Sequence, residues 1–146
     1  GKNGHVAAKA TSTFSSIGVS CFFIDPVDSV HGDMGVINEE DILIAVSKSG
    51  NTEELIHFLK HVEHKNCKIV SIHSNPKNKS LDYSSLDIDL RVSKEADHLN
   101  IVPTCSIAVF TVFLQSVACE ISHRKQLTLE QFVKNHPGGS IGKTKI

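Results

Sequence analysis

The stretch AVSKSGNTEE, residues 45–54, decides the fold prediction, because an apolar segment ends in it and a helix-like pattern begins in it. Upstream, residues 41–47 form a short apolar run, which is typical of a strand buried on both faces. Downstream, apolar residues recur at helical spacing over residues 52–65. A buried strand that passes directly into a helix indicates a β-α unit of a parallel sheet.

The remainder of the chain repeats this alternation. We predict further strands at residues 20–24, 67–72 and 87–92, and further helices at residues 6–17, 80–84, 104–123 and 128–134. Right-handed crossovers between parallel strands place helices on both faces of the sheet. The predicted fold class is therefore α/β, a three-layer α/β/α sandwich with a parallel sheet, in one domain over residues 1–146. The opening at Gly1 resembles the middle of a loop, so we expect residues upstream of it.

Composition and charge exclude several classes of function. The formal net charge is -1, which gives no bulk attraction for a nucleic acid or an acidic membrane. The apolar stretch at residues 107–118 is predicted to be too short to span a bilayer, and no secretion signal opens the chain. The four cysteines form no C-x-x-C pair and lie in apolar runs. We therefore predict small buried side chains in a reducing compartment, and a cytoplasmic protein.

Two interpretations of the segment after the second strand stay open. Unpaired N–H groups at a helix N-terminus favour an anion, and the hydroxyl, amide and glycine residues here suit a phosphate monoester. The alternative is an ordinary capping box, in which residue 51 or 52 caps the helix and Glu53 or Glu54 reaches back. The pattern G-x-x-x-x-G-K-[ST] is not found, which disfavours a nucleotide-binding P-loop. The candidate phosphate contacts are Ser47, Ser49, Gly50, Asn51 and Thr52.

Other polar side chains fall in predicted loops or directly after strands. Each is more often structural when taken alone, but catalytic groups concentrate in loops that a rigid scaffold holds. The candidates are Lys2, His31, Glu95 and His136. His57, His61 and His64 share a helix face at a spacing that can bind a metal. Because no further ligand is clearly placed to complete such a site, we predict a solvated polar face and no metal.

Taken together, these segments resemble the sugar isomerase (SIS) domain, and more narrowly the SIS domain of arabinose 5-phosphate isomerases. The S-x-S-G segment alone marks only the broad domain, whereas the ordered set is far more specific. The resemblance runs through GKNGH at residues 1–5, FFIDP at 22–26, HGDMG at 31–35, SKSGNTEE at 47–54, KEA at 94–96, PTCS at 103–106 and HPGG at 136–139. It implies a flavodoxin-like parallel sheet of five strands, one of which precedes Gly1. Many relatives carry a pair of CBS domains after H-P-G-G, so we expect a single-domain member or a fragment.

The resemblance also implies an activity. The reaction is the reversible isomerisation of D-arabinose 5-phosphate and D-ribulose 5-phosphate through an enediol or enediolate, without a cofactor. By motif position, the catalytic set falls on Lys2, Glu54, Glu95 and His136, with His31 also lining the site. Either Glu95 or Glu54 is expected to act as the base at carbon. The family's sites combine residues of neighbouring subunits, which implies a homo-oligomer, expected to be a tetramer.

The sequence departs from the family pattern in two places, and two other functions stay open. Relatives usually have histidine where Asp25 stands, and a different segment follows K-E-A, where this chain has DHLNI at residues 97–101. One alternative is a non-catalytic phosphosugar sensor, since SIS domains also serve in transcription regulators. The other is an isomerase of a different phosphosugar, such as a hexulose 6-phosphate. Retention of the whole catalytic set favours an enzyme, because a sensor needs only the phosphate contacts.

Overall fold

The computed structural model describes residues 1–144; the last two residues of the predicted domain, 145 and 146, lie outside the described residues. The chain alternates helices and strands, as predicted. The helices are α1 (Lys2–Ser16), α2 (Pro26–Ser29), α3 (Glu53–Val62), α4 (Cys105–Arg124) and α5 (Leu129–Lys134), and the strands are β1 (Ile42–Val46), β2 (Lys68–His73) and β3 (Leu86–Asp89). Short 3-10 turns at Asp33–Val36, Glu63–Lys65, Lys79–Tyr83 and Ile141–Lys143 punctuate the connections.

The described residues divide into two compact units, and the first contains the sheet. This unit comprises residues 1–4 and 24–110, and its strands lie in the order β1-β2-β3. Both pairings are parallel: Ile44 lies opposite Val70, and Ile72 lies opposite Ile88. Parallel neighbours need crossover connections, which α3 and the turn at Lys79–Tyr83 provide. The predicted α/β class with a parallel sheet is confirmed.

The core of this unit lies between the strands and the apolar face of α3. Phe58, Leu59 and Val62 are 3%, 0% and 0% exposed, at helical spacing on α3. They pack with Ala45 of β1 and Ile69 of β2 in one cluster. Full burial of an apolar side chain of this size stabilises the fold by about 1.5–3 kcal/mol. Burial of this apolar face therefore holds α3 against the sheet.

Several predicted boundaries differ from the structure. The strand predicted at residues 20–24 is wrong, because residues 19–25 belong to no strand or helix. The strand predicted at residues 87–92 is present but shorter, as β3, and it ends at Asp89. Because no strand forms at residues 20–24, the sheet has three strands in the part of the chain that the structure describes. Consequently β1 lies at an edge of the sheet. Its residues Ile42 and Ile44 are 63% and 38% exposed, although the run was predicted to be buried on both faces.

The second unit comprises residues 5–23 and the chain from residue 111 onward. Its apolar stripe on α1 is formed by Val6, Ala10 and Phe14, all of which are buried. The hydroxyl of Thr13 donates to Oε1 of Gln115 on α4 at 2.7 Å. Helix α5 begins with the predicted threonine cap: Thr128 and Gln131 bond reciprocally, side chain to backbone, as a capping box.

Helix α4 is longer than the apolar stretch seen in the sequence. It runs for 20 residues, and by length and composition alone it is long and apolar enough to cross a membrane. The prediction considered only the stretch at residues 107–118, whereas the helix that contains it extends over Cys105–Arg124 and meets the length that spanning requires. Core helices of soluble proteins also satisfy this criterion, so length and composition give only weak evidence for a membrane-spanning helix.

The cysteines agree only in part with the prediction. All four are free thiols, and Cys67 is buried. Burial raises the pKa of the Cys67 thiol, which keeps it in the neutral form. Cys119, however, is exposed, and Cys21 and Cys105 are only partly buried. The prediction of a buried side chain is wrong for Cys119, because it lies on an exposed face of α4.

The loop between β1 and α3 depends on the glycine at its centre. Gly50 has a φ of 62°, in the left-handed region, and a Cβ at this position would overlap the side chain of Asn78. The loop and the segment that contains Asn78 therefore approach each other more closely than any residue other than glycine at position 50 would permit.

We predict that Gly50→Ala destabilises the fold by about 2 kcal/mol or more, because it adds left-handed strain and a clash with Asn78. Urea unfolding measures the change. Gly35→Ala is the matched control, since a Cβ there meets no atom within 4 Å. Equal stability of the two variants would contradict the close approach.

Candidate functional site

The loop formed by residues 47–52 lies at the carboxyl end of β1 and leads into α3, where the sequence predicted it. Its own side chains hold its shape. The hydroxyl of buried Ser47 accepts the N–H of Gly50 at 3.1 Å and lies 3.2 Å from the hydroxyl of Thr52. Ser49 is exposed, and its hydroxyl accepts the N–H of Asn51 at 3.2 Å. Ser47 thus shapes the loop from inside, while Ser49, Asn51 and Thr52 face solvent.

A second loop, at residues 74–80 after β2, braces the first. The amide of Asn75 donates to the carbonyl of Ser49 at 2.9 Å, and the N–H of Ser80 donates to the carbonyl of Gly50 at 3.1 Å. The N–H of Lys79 donates to Oδ1 of Asn51 at 2.8 Å. These bonds satisfy the loop's carbonyl groups from one side, so its exposed surface is held in one conformation.

Helix α3 begins without a side-chain cap. Thr52 is the N-cap residue, but its side chain makes no capping hydrogen bond. The capping-box alternative is therefore wrong: the Thr52 hydroxyl pairs with Ser47 instead, and Glu53 and Glu54 are exposed. A helix N-terminus that lacks a side-chain cap leaves N–H groups and the positive end of the dipole for solvent or an anion. The arrangement therefore suits an anionic group.

The Glu95 carboxylate is the best-connected polar group near this loop. Its side chain is only 2% exposed, and Oε1 bonds to the Lys48 ammonium at 2.7 Å and to the Ser106 hydroxyl at 2.6 Å. Oε2 accepts the N–H groups of Thr104 at 2.8 Å and of Ser106 at 3.1 Å. These two N–H groups lie at the start of α4, so Glu95 also places a negative charge at that helix N-terminus.

Hydrogen bonding decides the charge state of Glu95. Burial would by itself raise the pKa of its carboxyl group, but hydrogen bonds from Lys48, Ser106 and Thr104 outweigh burial and hold the pKa far below its ordinary value of 4.5. The carboxylate is therefore ionised throughout the neutral range. A group with so low a pKa is a weak base.

The segment that departs from the family pattern, residues 97–101, forms a tight loop that supports Glu95. Oδ1 of Asp97 accepts the N–H groups of Ile101 at 2.9 Å and Val102 at 2.8 Å. Asn100, in a left-handed conformation with φ 56°, accepts the N–H of Glu95 at 2.6 Å through its side chain. This segment therefore holds the backbone of Glu95 through Asn100. The other departure, Asp25, caps α2 by accepting the N–H of Val27 at 2.9 Å.

The remaining predicted site residues are found at separate places. Lys2 was predicted to lie in a loop, but it lies in the first turn of α1. His31 lies in the turn after α2. Both are exposed, as is Glu54 in the first turn of α3. Within residues 1–144, no protein hydrogen bond holds these three side chains. His136 belongs to the second unit, where its ring stacks on Phe132 and its Nδ1 donates to the Phe132 carbonyl at 2.8 Å.

His57 and His61 lie exposed on α3, as predicted, whereas His64 lies beyond the end of this helix, in the 3-10 turn Glu63–Lys65. The rings of His57 and His61 lie 4.4 Å apart, and Nδ1 of His61 donates to the His57 carbonyl at 2.8 Å. Over residues 1–144 no group of three or more metal-ligating side chains is found.

Sequence reasoning missed four residues that organise the site and the loop that braces it. Lys48 gives no local signal, because a lysine inside a serine-rich loop has the pattern of a solvated charge. Thr104 and Ser106 lie in the P-T-C-S motif, which indicated the family but did not assign a role to either residue. His73 is also unforeseen: it is fully buried at the end of β2, bonds through Nε2 to Asp87, and accepts the N–H of Asn75 at 3.2 Å. It thereby fixes the start of the bracing loop.

Comparison with known proteins places this arrangement in a family. Arabinose 5-phosphate isomerase KdsD of Francisella tularensis is 36% identical over 146 residues, which is 100% of this chain and 45% of the relative. The protein of the same name from Pseudomonas aeruginosa is 34% identical over 98% of this chain and 44% of its own length. The chain thus spans less than half the length of these curated relatives.

Solved structures agree with the sequence comparison. The Escherichia coli CFT073 protein c3406, solved in complex with arabinose 5-phosphate, superposes with a TM-score of 0.90 at 32% identity, covering 94% of this chain and 73% of that one. The SIS domain family matches residues 1–120, which include both the loop at residues 47–52 and Glu95. On the extent of this match, the chain belongs to the SIS domain family.

Proposed function

We propose that the chain is the SIS domain of an aldose–ketose isomerase that interconverts D-arabinose 5-phosphate and D-ribulose 5-phosphate. The observation that carries the proposal is the braced loop at residues 47–52 with the uncapped start of α3, in a chain related to isomerases of arabinose 5-phosphate. The phosphorylated sugar is the partner, and no cofactor is invoked.

The phosphate end of the substrate is proposed to bind at this loop. A phosphate monoester carries three acceptor oxygens, which match hydroxyl and backbone N–H donors at a helix N-terminus. Ser49, Asn51 and Thr52 present exposed polar side chains, and buried Gly50, in its left-handed conformation, forms the turn that places them together. Ser47 contributes by holding the loop's shape. Binding energy from the phosphate then orients the reacting carbons at the far end of the substrate.

The reaction moves a proton between neighbouring carbons. A base removes the proton on C2 of the open-chain aldose, the carbonyl at C1 takes up negative charge, and an enediolate forms. Return of the proton to C1, with proton exchange between the two oxygens, gives the ketose. We propose that Lys2, His31, Glu54, Glu95 and His136 form the site. His136 or His31 assists ring opening and proton exchange, and Lys2 stabilises developing negative charge.

Between the two glutamates, exposure and hydrogen bonding favour Glu54 as the base at carbon. Glu54 is exposed in the first turn of α3, and within residues 1–144 no protein hydrogen bond engages its carboxylate. Glu95 is buried, and its oxygens already accept four strong hydrogen bonds. A base must offer a lone pair to the substrate, and Glu54 does so at no cost in broken bonds.

The oligomeric state and the cellular compartment are proposed from the resemblance to arabinose 5-phosphate isomerases. We propose a homotetramer whose sites combine residues of neighbouring subunits, working in the cytoplasm. Exposed apolar side chains on α4, such as Val109 and Val112 at 38% and 65% exposure, are compatible with contacts between subunits.

We predict that the protein, assayed with its full natural chain, interconverts the two pentose 5-phosphates, and that Glu54→Gln lowers kcat by about 10²–10⁴-fold because a general base is lost. NMR of C1 and C2 proton exchange over a panel of phosphosugars measures this directly. Glu53→Gln is the matched control, since Glu53 is an exposed neighbour in the same helical turn, and it should retain activity.

The same panel separates the competing functions. Binding of ribulose 5-phosphate without proton exchange in the unsubstituted protein would contradict the isomerase and favour a sensor. Exchange only with a hexulose 6-phosphate would retain the chemistry and change the substrate.

We predict that the unfolding free energy difference between the protein and Glu95→Gln depends on pH. Because the folded-state pKa of Glu95 lies below the unfolded value near 4.5, its carboxylate stabilises the fold above that pH and loses this effect as pH falls toward the folded-state pKa. Urea unfolding between pH 7 and about pH 3.5 should show the difference shrinking below about pH 4.5. A difference that stays constant would contradict the ionised, multiply bonded carboxylate.

A further inference from the structure

We propose that Lys48 is a further catalytic residue, whose ammonium stabilises the enediolate oxygen, and that Glu95 is the positioning residue that holds it there. This inference rests on the proposed function, because it assigns roles within that reaction. It follows from the Lys48–Glu95 ion pair, in which Nζ and Oε1 lie 2.7 Å apart.

The two ends of the ion pair differ in their access to a substrate. The Lys48 side chain is 34% exposed, whereas the Glu95 side chain is 2% exposed. A molecule bound at the carboxyl edge of the sheet therefore meets the ammonium of this pair and not the carboxylate. Of an ammonium's three donors, one is used by Glu95, and the other two remain for a ligand.

The carboxylate has no remaining capacity for a reaction of its own. A carboxylate offers about four lone-pair sites. Two are filled by N–H groups of Thr104 and Ser106, a third by the Ser106 hydroxyl, and the fourth by Lys48. The Thr104 hydroxyl also lies 3.2 Å from Oε2 and 3.1 Å from the Val102 carbonyl. Proton abstraction by Glu95 would require one of these bonds to break.

The position of Lys48 separates it from the phosphate contacts. The exposed side chains of Ser49, Asn51 and Thr52 lie at the start of α3, whereas Glu95 draws the Lys48 ammonium to the start of α4. Within residues 1–144, the only protein acceptor that bonds Nζ of Lys48 is Glu95. We therefore assign Lys48 to the reacting end of the sugar and not to its phosphate.

A fixed cation at that position would add to the stabilisation of negative charge that is proposed for Lys2. Removal of the C2 proton by Glu54 leaves negative charge on the oxygen at C1, and a fixed ammonium lowers the energy of that charge most when water is excluded. A flexible lysine would lose this benefit to reorganisation. The buried Glu95, itself fixed by α4 and by Asn100, removes that freedom before the substrate binds.

The test compares Lys48→Met and Lys48→Arg with Lys60→Met, using the full natural chain. Lys60 is an exposed lysine in the last turn of α3 and serves as the control for loss of one positive charge. For each variant we would measure kcat and KM with ribulose 5-phosphate, the inhibition constant of inorganic phosphate, and thermal unfolding. We expect Lys48→Met to lose about 10²–10³-fold in kcat while inorganic phosphate binds as before, and Lys60→Met to change neither.

Two further variants separate positioning from folding. Lys48→Arg keeps the ion pair with Glu95 and is expected to restore part of kcat. Glu95→Gln should lower kcat, and the double variant with Lys48→Met should be no slower than Lys48→Met alone, because Glu95 acts through Lys48. Multiplicative losses in the double variant would make Glu95 an independent catalyst and overturn the proposal.

The remaining outcomes are equally decisive. Unchanged kcat in a folded Lys48→Met variant overturns the role of Lys48 while the isomerase stands. A weaker inhibition by inorganic phosphate with unchanged kcat would make Lys48 a phosphate contact and also overturn it. An unsubstituted protein that binds ribulose 5-phosphate without converting it overturns the proposed function and this inference together.

Discussion

The carboxylate of Glu95 joins three parts of the first unit that are far apart in sequence. It accepts from Lys48 in the loop after β1 and from Thr104 and Ser106 at the start of α4, while Asn100 fixes its own backbone. A buried charge is tolerated only when its lone pairs are matched by donors, and here each is matched. Loss of any one donor would leave part of a buried negative charge without a hydrogen-bond partner. The geometry of the loop after β1 and of the start of α4 is therefore coupled to the Glu95 side chain.

The second constraint is the close approach of two loops at Gly50. The turn at residues 74–80 satisfies carbonyl groups of the loop at residues 47–52, and the glycine lets Asn78 pack directly against it. Buried His73 fixes the first residues of that turn through Asn75. Hydrogen bonding from behind leaves the other side of the loop for a ligand. The surface proposed to bind phosphate is thus shaped by residues that lie behind it.

Much of this arrangement was predictable from local patterns. Helix α3 follows from its apolar spacing, β1 and β2 from continuous apolar runs, and the cap of α5 from Thr128 and Gln131. The failures share a cause. Residues 20–24 have the composition of a strand, yet pairing requires a neighbouring strand at the right distance, which composition does not reveal. The exposure of Ile42 and Ile44 likewise depends on the position of β1 at the sheet edge.

The sequence by itself determined the α/β class, the place of the loop at residues 47–52 between β1 and α3, and the family, because strand and helix periods and short motifs are local properties of the chain. Only the tertiary structure decided that Lys48 pairs with Glu95, 47 residues away, and that Glu95 is buried among donors. Which of two glutamates can act as a base depends on solvation and hydrogen bonding. Solvation and hydrogen bonding depend on how loops from different strands come together, and the sequence of a single loop does not reveal that arrangement.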